Sequence, residues 1–462
     1  MAWLALAVVC ALWMHPPETP CRDAQLAVAR QRLRASPGVA TVDVSTDGRL
    51  VAFVSLARLT AEDDNTVEDI YVLDRATAAI RLESATVSGA APLGSSQHPR
   101  LSGDGRVLVF STLAAALVGS RVETAGAQVV RRDRSTGALT LVSHTPTGTP
   151  GNGWSGVPDV SDDGRFVVFE SRATDLVAGP DHNHGGSDIY LFDAADGGLR
   201  RVSVPTVGEQ PAAGQSGTPA ISGTGRFIAF SSTAPLDTPP GRSDARPVHR
   251  DVFVRDVVDG VTRRVSASRN PRGPDGDSYH PAISGDGHRV AFVSTATNLD
   301  ADARAGPEEH VYLAQLGLPR LTLLSRTSSG RAADGPSRYP AFSADGRYVL
   351  FSSEASNLHC RDRCGAAEDL NLVSDVYRVD AATGVADRIS GAVAREPWWT
   401  ASQGVASDGI GRVVAFSSRE PIDDDDLGHD DDLFIVAWPE AAAAGAASAQ
   451  RCAPGVASSP PE

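Results

Sequence analysis

Two acidic loops carry the residue types and the spacing that a calcium ion needs. Each contains Asp-x-Asn, followed four or five residues later by an Asp that opens an apolar stretch. Calcium takes six to eight oxygen ligands in flexible geometry, so alternating carboxylate and amide oxygens on a short loop suit it. The alternative is that these side chains hydrogen-bond their own loop backbone. The candidate calcium ligands are Asp63, Asn65, Asp69, Asp181, Asn183 and Asp188. Calcium is the one cofactor that the sequence suggests.

Two other residue pairs invite a chemical interpretation. Cys360 and Cys364 lie four apart in one long loop, where a disulfide is expected outside the cytoplasm because a zinc site would need two more ligands nearby. Trp398 and Trp399 are adjacent and are a candidate aromatic contact for a partner or a sugar. The alternative for the tryptophans is packing between structural units.

The sequence offers no recognisable catalytic motif. The Gly-x-Ser-x-Gly turn of α/β-hydrolases has no match, since the nearest string, Gly153-Trp154-Ser155-Gly156, has the wrong spacing. The 11 histidines show no metal-ligand spacing. The sequence analysis therefore predicts a protein without enzymatic activity.

Charge and hydropathy exclude two classes of partner. The formal net charge is −15. Nucleic-acid binding and attraction to anionic lipid both need a basic surface, so neither is expected. Residues 1–14 form an uncharged apolar run that is too short to span a membrane comfortably and resembles the apolar part of a signal peptide. We therefore expect export, to the periplasm or beyond, with residues 1–20 as the signal-like segment and no other membrane insertion.

One phrase recurs seven times and predicts the fold. It consists of a short extended stretch, Ser-x-Asp-Gly-Arg, and an alternating apolar run that ends in Phe and Ser. Asp-Gly between apolar runs is a strong hairpin signal, because a tight turn needs positive φ at its central residues. The Ser, Asp, Gly and Arg of this repeat phrase are therefore interpreted as hairpin residues and not as a catalytic set. The copies occupy residues 42–55, 99–111, 158–171, 219–232, 281–294, 340–353 and 404–418.

Two more extended stretches follow each copy, which gives four strands per unit. Seven four-stranded antiparallel units predict an all-β, seven-bladed β-propeller over residues 21–438, with blades starting near 40, 98, 157, 218, 280, 339 and 402. The last unit lacks a fourth strand, and residues 439–462 form a low-complexity tail that offers none. An apolar stretch at 25–33 is free to supply it, so the N-terminal strand is predicted to complete blade seven and close the ring.

The phrase P-x-[IVF]-S-x-D-G-R-x-[VI]-x-F-x-S resembles the WD40-like PD40 repeat of TolB-type propellers. The resemblance covers about residues 25–437 and implies a TolB-like role in the bacterial envelope. Two departures are the count of seven blades, where six are expected of TolB, and the lack of an α/β domain before the blades.

Three functions follow as expectations. The first is an exported, monomeric and non-enzymatic platform that binds an envelope or extracellular protein. The second is a propeller that binds a carbohydrate or small ligand, with hydrolysis as an added activity. Carboxylates and aromatics converging at the mouth of the channel would favour this second function, and an aliphatic plug would count against it. The third is a calcium-stabilised structural surface protein.

Overall fold

The structure is a computed structural model that describes twelve stretches of the chain. They are residues 31–34, 41–119, 126–208, 210–211, 213–237, 249–268, 273–300, 305–327, 329–358, 374–390, 403–418 and 432–437. Within them lie 28 β-strands and one short 3-10 helix, Ala115–Val118. The strands form seven four-stranded antiparallel sheets. The predicted seven-bladed, all-β propeller is confirmed.

The strands of a blade follow each other in chain order, and hydrogen bonds join each strand to the next. The first strands are β2 (Val42–Val44), β6 (Ser96–Leu101), β10 (Ser155–Val160), β14 (Ser216–Ile221), β18 (Ser278–Ile283), β22 (Ser337–Phe342) and β26 (Gln403–Ser407). The second strands are β3 (Leu50–Ser55), β7 (Val107–Thr112), β11 (Phe166–Ser171), β15 (Phe227–Ser232), β19 (Arg289–Ser294), β23 (Tyr348–Ser353) and β27 (Val413–Ser418).

The outer half of each blade is built in the same way. The third strands are β4 (Asp69–Asp74), β8 (Gln128–Asp133), β12 (Asp188–Asp193), β16 (Asp251–Asp256), β20 (His310–Gln315), β24 (Asp375–Asp380) and β28 (Asp432–Ala437). The fourth strands of blades one to six are β5 (Ala79–Leu82), β9 (Leu139–Leu141), β13 (Gly198–Arg201), β17 (Val261–Arg264), β21 (Leu321–Leu323) and β25 (Ala386–Arg388).

Blade seven takes its fourth strand from the start of the chain. Strand β1 (Gln31–Arg34) pairs antiparallel with β28, so that Gln31 faces Ile435 and Arg34 faces Asp432. The predicted closure of the ring is confirmed. The observed strand lies at the end of the predicted stretch, of which residues 25–30 fall outside the described residues.

The first strands line the central channel, and the core lies between the blades. Each first strand contacts the first strands of the two neighbouring blades around the whole ring. Seven clusters of buried apolar side chains fill the seven junctions between blades. At the junction of blades one and two, for example, Ala52 and Val54 pack with Leu108 and Phe110. Apolar residues on both faces of each blade are thus accounted for by burial on both sides.

The polar residues of the repeat phrase hold the hairpin between first and second strands. In blade one, Asp47 Oδ1 accepts hydrogen bonds from Ser45 Oγ (2.6 Å) and from the Arg49 backbone N–H (2.9 Å). The Arg49 side chain reaches the last residue of the third strand, Asp74, at 2.6 Å. The structure therefore agrees with the interpretation of these residues as hairpin chemistry.

A closed circle of backbone hydrogen bonds links these hairpins at one end of the channel. One bond spans each of the seven junctions, with lengths of 2.8–3.2 Å. We call it the turn ring. Its bonds run from Thr46 N to Gly103 O, Gly103 N to Asp162 O, Asp162 N to Gly223 O, Gly223 N to Gly285 O, Gly285 N to Ala344 O, Asp345 N to Gly409 O and Gly409 N to Thr46 O.

Substitution of one ring glycine should destabilise the propeller. A Cβ atom at Gly285 would lie 2.4 Å from the Ala344 carbonyl oxygen, which is itself the acceptor in the turn ring. We expect Gly285→Ala to lower the free energy of unfolding by about 1–3 kcal/mol, as overpacking does. Gly306→Ala is the matched control, because a Cβ there meets no atom within 4 Å. Urea unfolding of the two variants measures the difference. Equal stability of both would show that the ring tolerates an opening.

Candidate functional site in the central channel

The acidic loop of blade one forms a network of hydrogen bonds within the loop. Asn65 Nδ2 donates to Asp69 Oδ2 at 2.8 Å, and Ser84 Oγ donates to Asp69 Oδ1 at 2.5 Å. The buried Tyr71 hydroxyl donates to Asp63. The structure therefore brings these three candidate ligands together, with protein donors on their oxygens.

In blade three, an arginine from the fourth strand lies next to the carboxylates of the acidic loop. Arg201 lies 3.6 Å from Asp181 and 3.3 Å from Asp188. Gln210 Nε2 also donates to Asp188, at 2.6 Å. Burial nevertheless raises the pKa of Asp188 to about 6, with Ser203 and Arg201 opposing that effect. The positive charge that calcium would bring is here supplied by a side chain.

The last Asp of each predicted calcium loop belongs to a contact that other blades share. A serine after the fourth strand donates to the residue that opens the third strand, from Ser84 to Asp69 and from Ser203 to Asp188. The same bond occurs in blades four and six, which lack an Asp-x-Asn loop in the described residues, from Ser266 to Asp251 (2.8 Å) and from Ser390 to Asp375 (2.6 Å).

Calcium binding at these loops stays a prediction. Among the described residues, no group of three or more His, Cys, Asp or Glu side chains is arranged to hold a metal ion. The other candidates from the sequence, Cys360, Cys364, Trp398 and Trp399, lie outside the described residues.

Any effect of calcium should be confined to blade one. Arg201 neutralises the carboxylates of blade three, whereas the equivalent position in blade one is the uncharged Leu82. We expect calcium to slow hydrogen exchange in residues 59–69 and chelator to reverse it, with residues 180–188 unaffected. Hydrogen-exchange mass spectrometry of the full chain, with Asp63→Asn as the control variant, makes the measurement. Identical exchange in calcium and chelator would rule out this site.

A different set of polar residues meets inside the channel. At the position five residues before each turn glycine, blades one to three carry Asp43, Arg100 and Asp159. The same position is alanine in the other four blades. These alanines are Ala220, Ala282, Ala341 and Ala406. At this level the channel therefore carries charged side chains in blades one to three and small side chains in blades four to seven.

The two carboxylates of the charged wall flank one guanidinium. Arg100 Nη1 lies 3.7 Å from Asp43 Oδ1, and Arg100 Nε lies 4.0 Å from Asp159 Oδ1. The second oxygen of each carboxylate accepts a backbone N–H of the next blade, from Leu101 (2.6 Å) and from Ile221 (2.8 Å). The Arg100 side chain is 44% exposed. Its N–H groups are thus free of close contact with the carboxylates and accessible from the channel.

Burial shifts the ionisation of this wall. It raises the pKa of Asp43 to about 6, although Arg100 opposes the shift, and it raises the pKa of Asp159 in the same way. Burial and the charge of Arg100 together lower the pKa of His98 to about 4. Near neutral pH the wall therefore holds an uncharged imidazole, a guanidinium and carboxylates that are poorly solvated, a combination typical of functional sites.

A ring of strained residues lies two positions earlier in the first strands. This places them nearer the channel mouth, by which we mean the end of the channel opposite the turn ring. In blades two to six the residue before the proline of the first strand has a positive φ, and the register of the strand shifts there. Such a backbone costs on the order of 1–3 kcal/mol per residue and is often found at functional sites. The residues are His98 (φ 55°), Val157 (48°), Thr218 (51°), His280 (47°) and Tyr339 (55°).

Aromatic rings form the wall across from Arg100. His280 of blade five and Tyr339 of blade six stack at 5.6 Å between ring centroids with planes 28° apart. Tyr279 meets the edge of His280 at 5.2 Å. Tyr339 is 42% exposed, so that part of its ring is open to a ligand. The sequence does not predict this site, because its residues fall at variable positions of the repeat phrase.

Comparison with known proteins identifies the fold. No protein-family model matches the chain, and no curated protein matches it. Among solved structures, an oligogalacturonate lyase from Vibrio parahaemolyticus has a TM-score of 0.52 and 13% identity over 91% of this chain and 96% of that one. An oligogalacturonate lyase solved in complex with manganese has a TM-score of 0.51 and 14% identity over 91% and 95%. The likeness is one of fold. TolB from Acinetobacter baumannii matches with a TM-score of 0.38 and 14% identity over 75% and 62%.

These comparisons correct one expectation from the sequence. The prediction of a protein without enzymatic activity is wrong, because it assumed that a propeller needs a separate hydrolase domain to be an enzyme. The two lyases are enzymes by name, and this chain matches nearly their whole length with its propeller. A propeller of this size is therefore sufficient for an enzyme. No helix of the described residues is long and apolar enough to cross a membrane.

Neutralising Asp43 should stabilise the protein at neutral pH. A carboxyl whose pKa rises on folding gives the folded state more bound protons than the unfolded state, here between about pH 4 and pH 6. Stability from this group therefore falls as pH rises through that range. We expect Asp43→Asn to gain up to about 2–3 kcal/mol at pH 7.5 and nothing at pH 4. Unfolding at both pH values tests this, with the exposed loop variant Asp64→Asn as control. A destabilised Asp43→Asn at pH 7.5 would contradict the burial cost.

Proposed function

We propose that the protein binds a carbohydrate, or a small polar ligand of similar size, at the mouth of its central channel. The observation that carries this proposal is the convergence of Asp43, Arg100 and Asp159 on one wall with the His280–Tyr339 stack on another. Ligand sites combine a mainly apolar concave surface with a few fixed polar groups. In the described first strands of blades four to seven, the equivalent channel position holds alanine and not a larger aliphatic residue.

Each wall suits one aspect of a sugar. A half-exposed aromatic face accepts the apolar C–H face of a pyranose ring. A guanidinium and two carboxylates offer donors and acceptors in fixed positions, and the backbone bonds to Leu101 and Ile221 restrain the carboxylates. This order of the side chains before a ligand arrives reduces the entropy cost of binding.

The same residues support chemistry on the bound ligand. His98 is an uncharged base near neutral pH, and Asp43 with a pKa of about 6 can hold a proton at mildly acidic pH. Arg100 follows His98 by two residues, lies 3.7 Å from the Asp43 carboxylate and can stabilise a developing negative charge. We therefore propose acid–base cleavage of a saccharide, by elimination or hydrolysis, as the activity of this site. The shared fold with oligogalacturonate lyases supports that direction.

Binding should depend on both walls of the channel. We expect Arg100→Ala and Tyr339→Ala each to weaken binding of a responding oligosaccharide by at least about 10-fold. Arg106→Ala is the control, because Arg106 pairs with Asp133 on a hairpin outside the channel. An array of neutral and uronate oligosaccharides identifies a sugar that binds the wild-type protein. Calorimetry with that sugar then measures the affinities of the variants. If both channel variants bind the sugar with the affinity of the wild-type protein, the proposed site is contradicted.

A protein partner at the cell envelope is the second candidate function. Four apolar side chains are exposed on loops at the mouth end of blades one to three, namely Val87, Leu93, Leu113 and Val207. Leu93 and Leu113 lie on loops joined by the hydrogen bond from Leu113 N to Ser95 O. Exposed apolar residues near one another often mark a protein contact. The apolar N-terminus and the PD40 resemblance support a location outside the cytoplasm.

Loss of the exposed leucines should abolish capture of such a partner. We expect tagged full-length protein to retain one stoichiometric envelope protein, and the double variant Leu93→Ser with Leu113→Ser to lose it. Val258→Ser is the control, since Val258 is exposed at the opposite end of the propeller. Mass spectrometry of the captured material decides. Equal retention by both variants would remove this surface as the contact.

A further inference from the structure

The propeller repeats a cleft between the outer strands of adjacent blades, and the cleft has two different linings. Between blades one and two it encloses about 500 Å³ and is lined by arginines, which are Arg49, Arg81, Arg106 and Arg134. Between blades four and five it encloses about 400 Å³. There the lining is mainly apolar and includes Phe227, His288, Leu316, Leu318 and Pro319. We call this second space the 4/5 cleft.

Blade five differs from blade two at the residues that would fill the cleft. The arginine directly after the turn glycine of the repeat phrase pairs with the last residue of the third strand in blades one, two, three, four and six. In blade five these two positions are His288 and Gln315, which cannot form that ion pair. The residue after the third strand, Arg134 in blade two, is Leu316 in blade five. Two arginine side chains are thus missing from the 4/5 cleft.

The charged residues around the 4/5 cleft leave one cation without an opposite charge. Asp256 and Asp259 both pair with Arg226, at 2.7 and 2.9 Å. Arg264 pairs with Asp237 and Asp251. Arg263 lines the cleft and is exposed, and no ion pair joins it to an acidic group among the described residues. The charged groups named here are four carboxylates and three guanidiniums, and Arg263 is the guanidinium without an ion pair among the described residues.

We propose that the 4/5 cleft binds a small aromatic carboxylate. Its ring would lie against Phe227 and Leu316, and its carboxylate would meet the Arg263 guanidinium. The volume falls within the range of about 300–1,000 Å³ that is typical of ligand pockets. Phe227 already packs against His288 at 6.0 Å between ring centroids, so an aromatic guest extends an existing contact. The site is separate from the channel and independent of the function proposed for it.

Binding of 2-naphthoate to the purified full-length protein tests the proposal. We expect saturable binding, measured by calorimetry and by ligand-detected NMR, and a loss of at least about 10-fold with the uncharged analogue 2-naphthol. Arg263→Gln should weaken 2-naphthoate to the level of the analogue. Leu316→Arg should abolish binding, because it restores the side chain that fills the equivalent cleft of blades one and two.

Arg81→Gln is the matched control, since Arg81 occupies the position of Arg263 in the arginine-lined cleft. It should leave 2-naphthoate binding unchanged. Saturable binding that survives Leu316→Arg, or no saturable binding by a correctly melting wild-type protein, would overturn the proposal. Oligosaccharide binding should be the same in all three variants, so that failure here is distinguishable from failure of the channel site.

Discussion

The seven inter-blade hydrogen bonds of the turn ring are the constraint on which the channel depends. Each bond uses backbone groups only, so it fixes the distance between neighbouring hairpins whatever their side chains. Glycine at Gly103, Gly223 and Gly285 allows that approach, because a Cβ at these positions would meet the neighbouring hairpin. With the hairpins fixed, the residues three positions earlier stand at one level of the channel. The Arg100 guanidinium can then lie within 4.0 Å of the carboxylates of both Asp43 and Asp159, although the three residues belong to three blades.

The junctions between blades stabilise the fold enough to tolerate channel residues that lower the free energy of unfolding. Five residues with positive φ and at least two carboxyls with raised pKa all lower stability. The apolar clusters between blades offset these costs, and so does the buried Glu83, which bridges Arg132 and Arg134 of the next blade. Residues that lower the stability of a protein are commonly found where the protein binds a ligand. The channel is therefore one part of this molecule where stability alone does not explain the choice of residues.

The sequence predicts the blades well because their signals are local. Asp-Gly turns and two-residue alternation recur in each copy, and counting the fourth strands predicts the pairing of β1 with β28. The channel site could not be predicted in this way. Arg100 occupies a variable position between the proline and the serine of the repeat phrase. The same position is alanine in four other copies, so its charge stands out only when the seven copies are aligned. The positive φ of His98 contradicts the local preference of a residue before proline, since the bulge in the first strand and not the dipeptide determines it.

Closure of the ring by β1 and β28 has a consequence for the life of the nascent chain. Gln31 pairs with Ile435, so strand β1 cannot pair with β28 until a further 404 residues have been synthesised (435 − 31). At a rate of synthesis of about 5–20 residues per second, the interval between the two strands is roughly 20–80 s. During this time blades can form one after another, but the propeller remains an open arc with unpaired edges. Such a chain needs protection from intermolecular strand pairing until β1 and β28 meet.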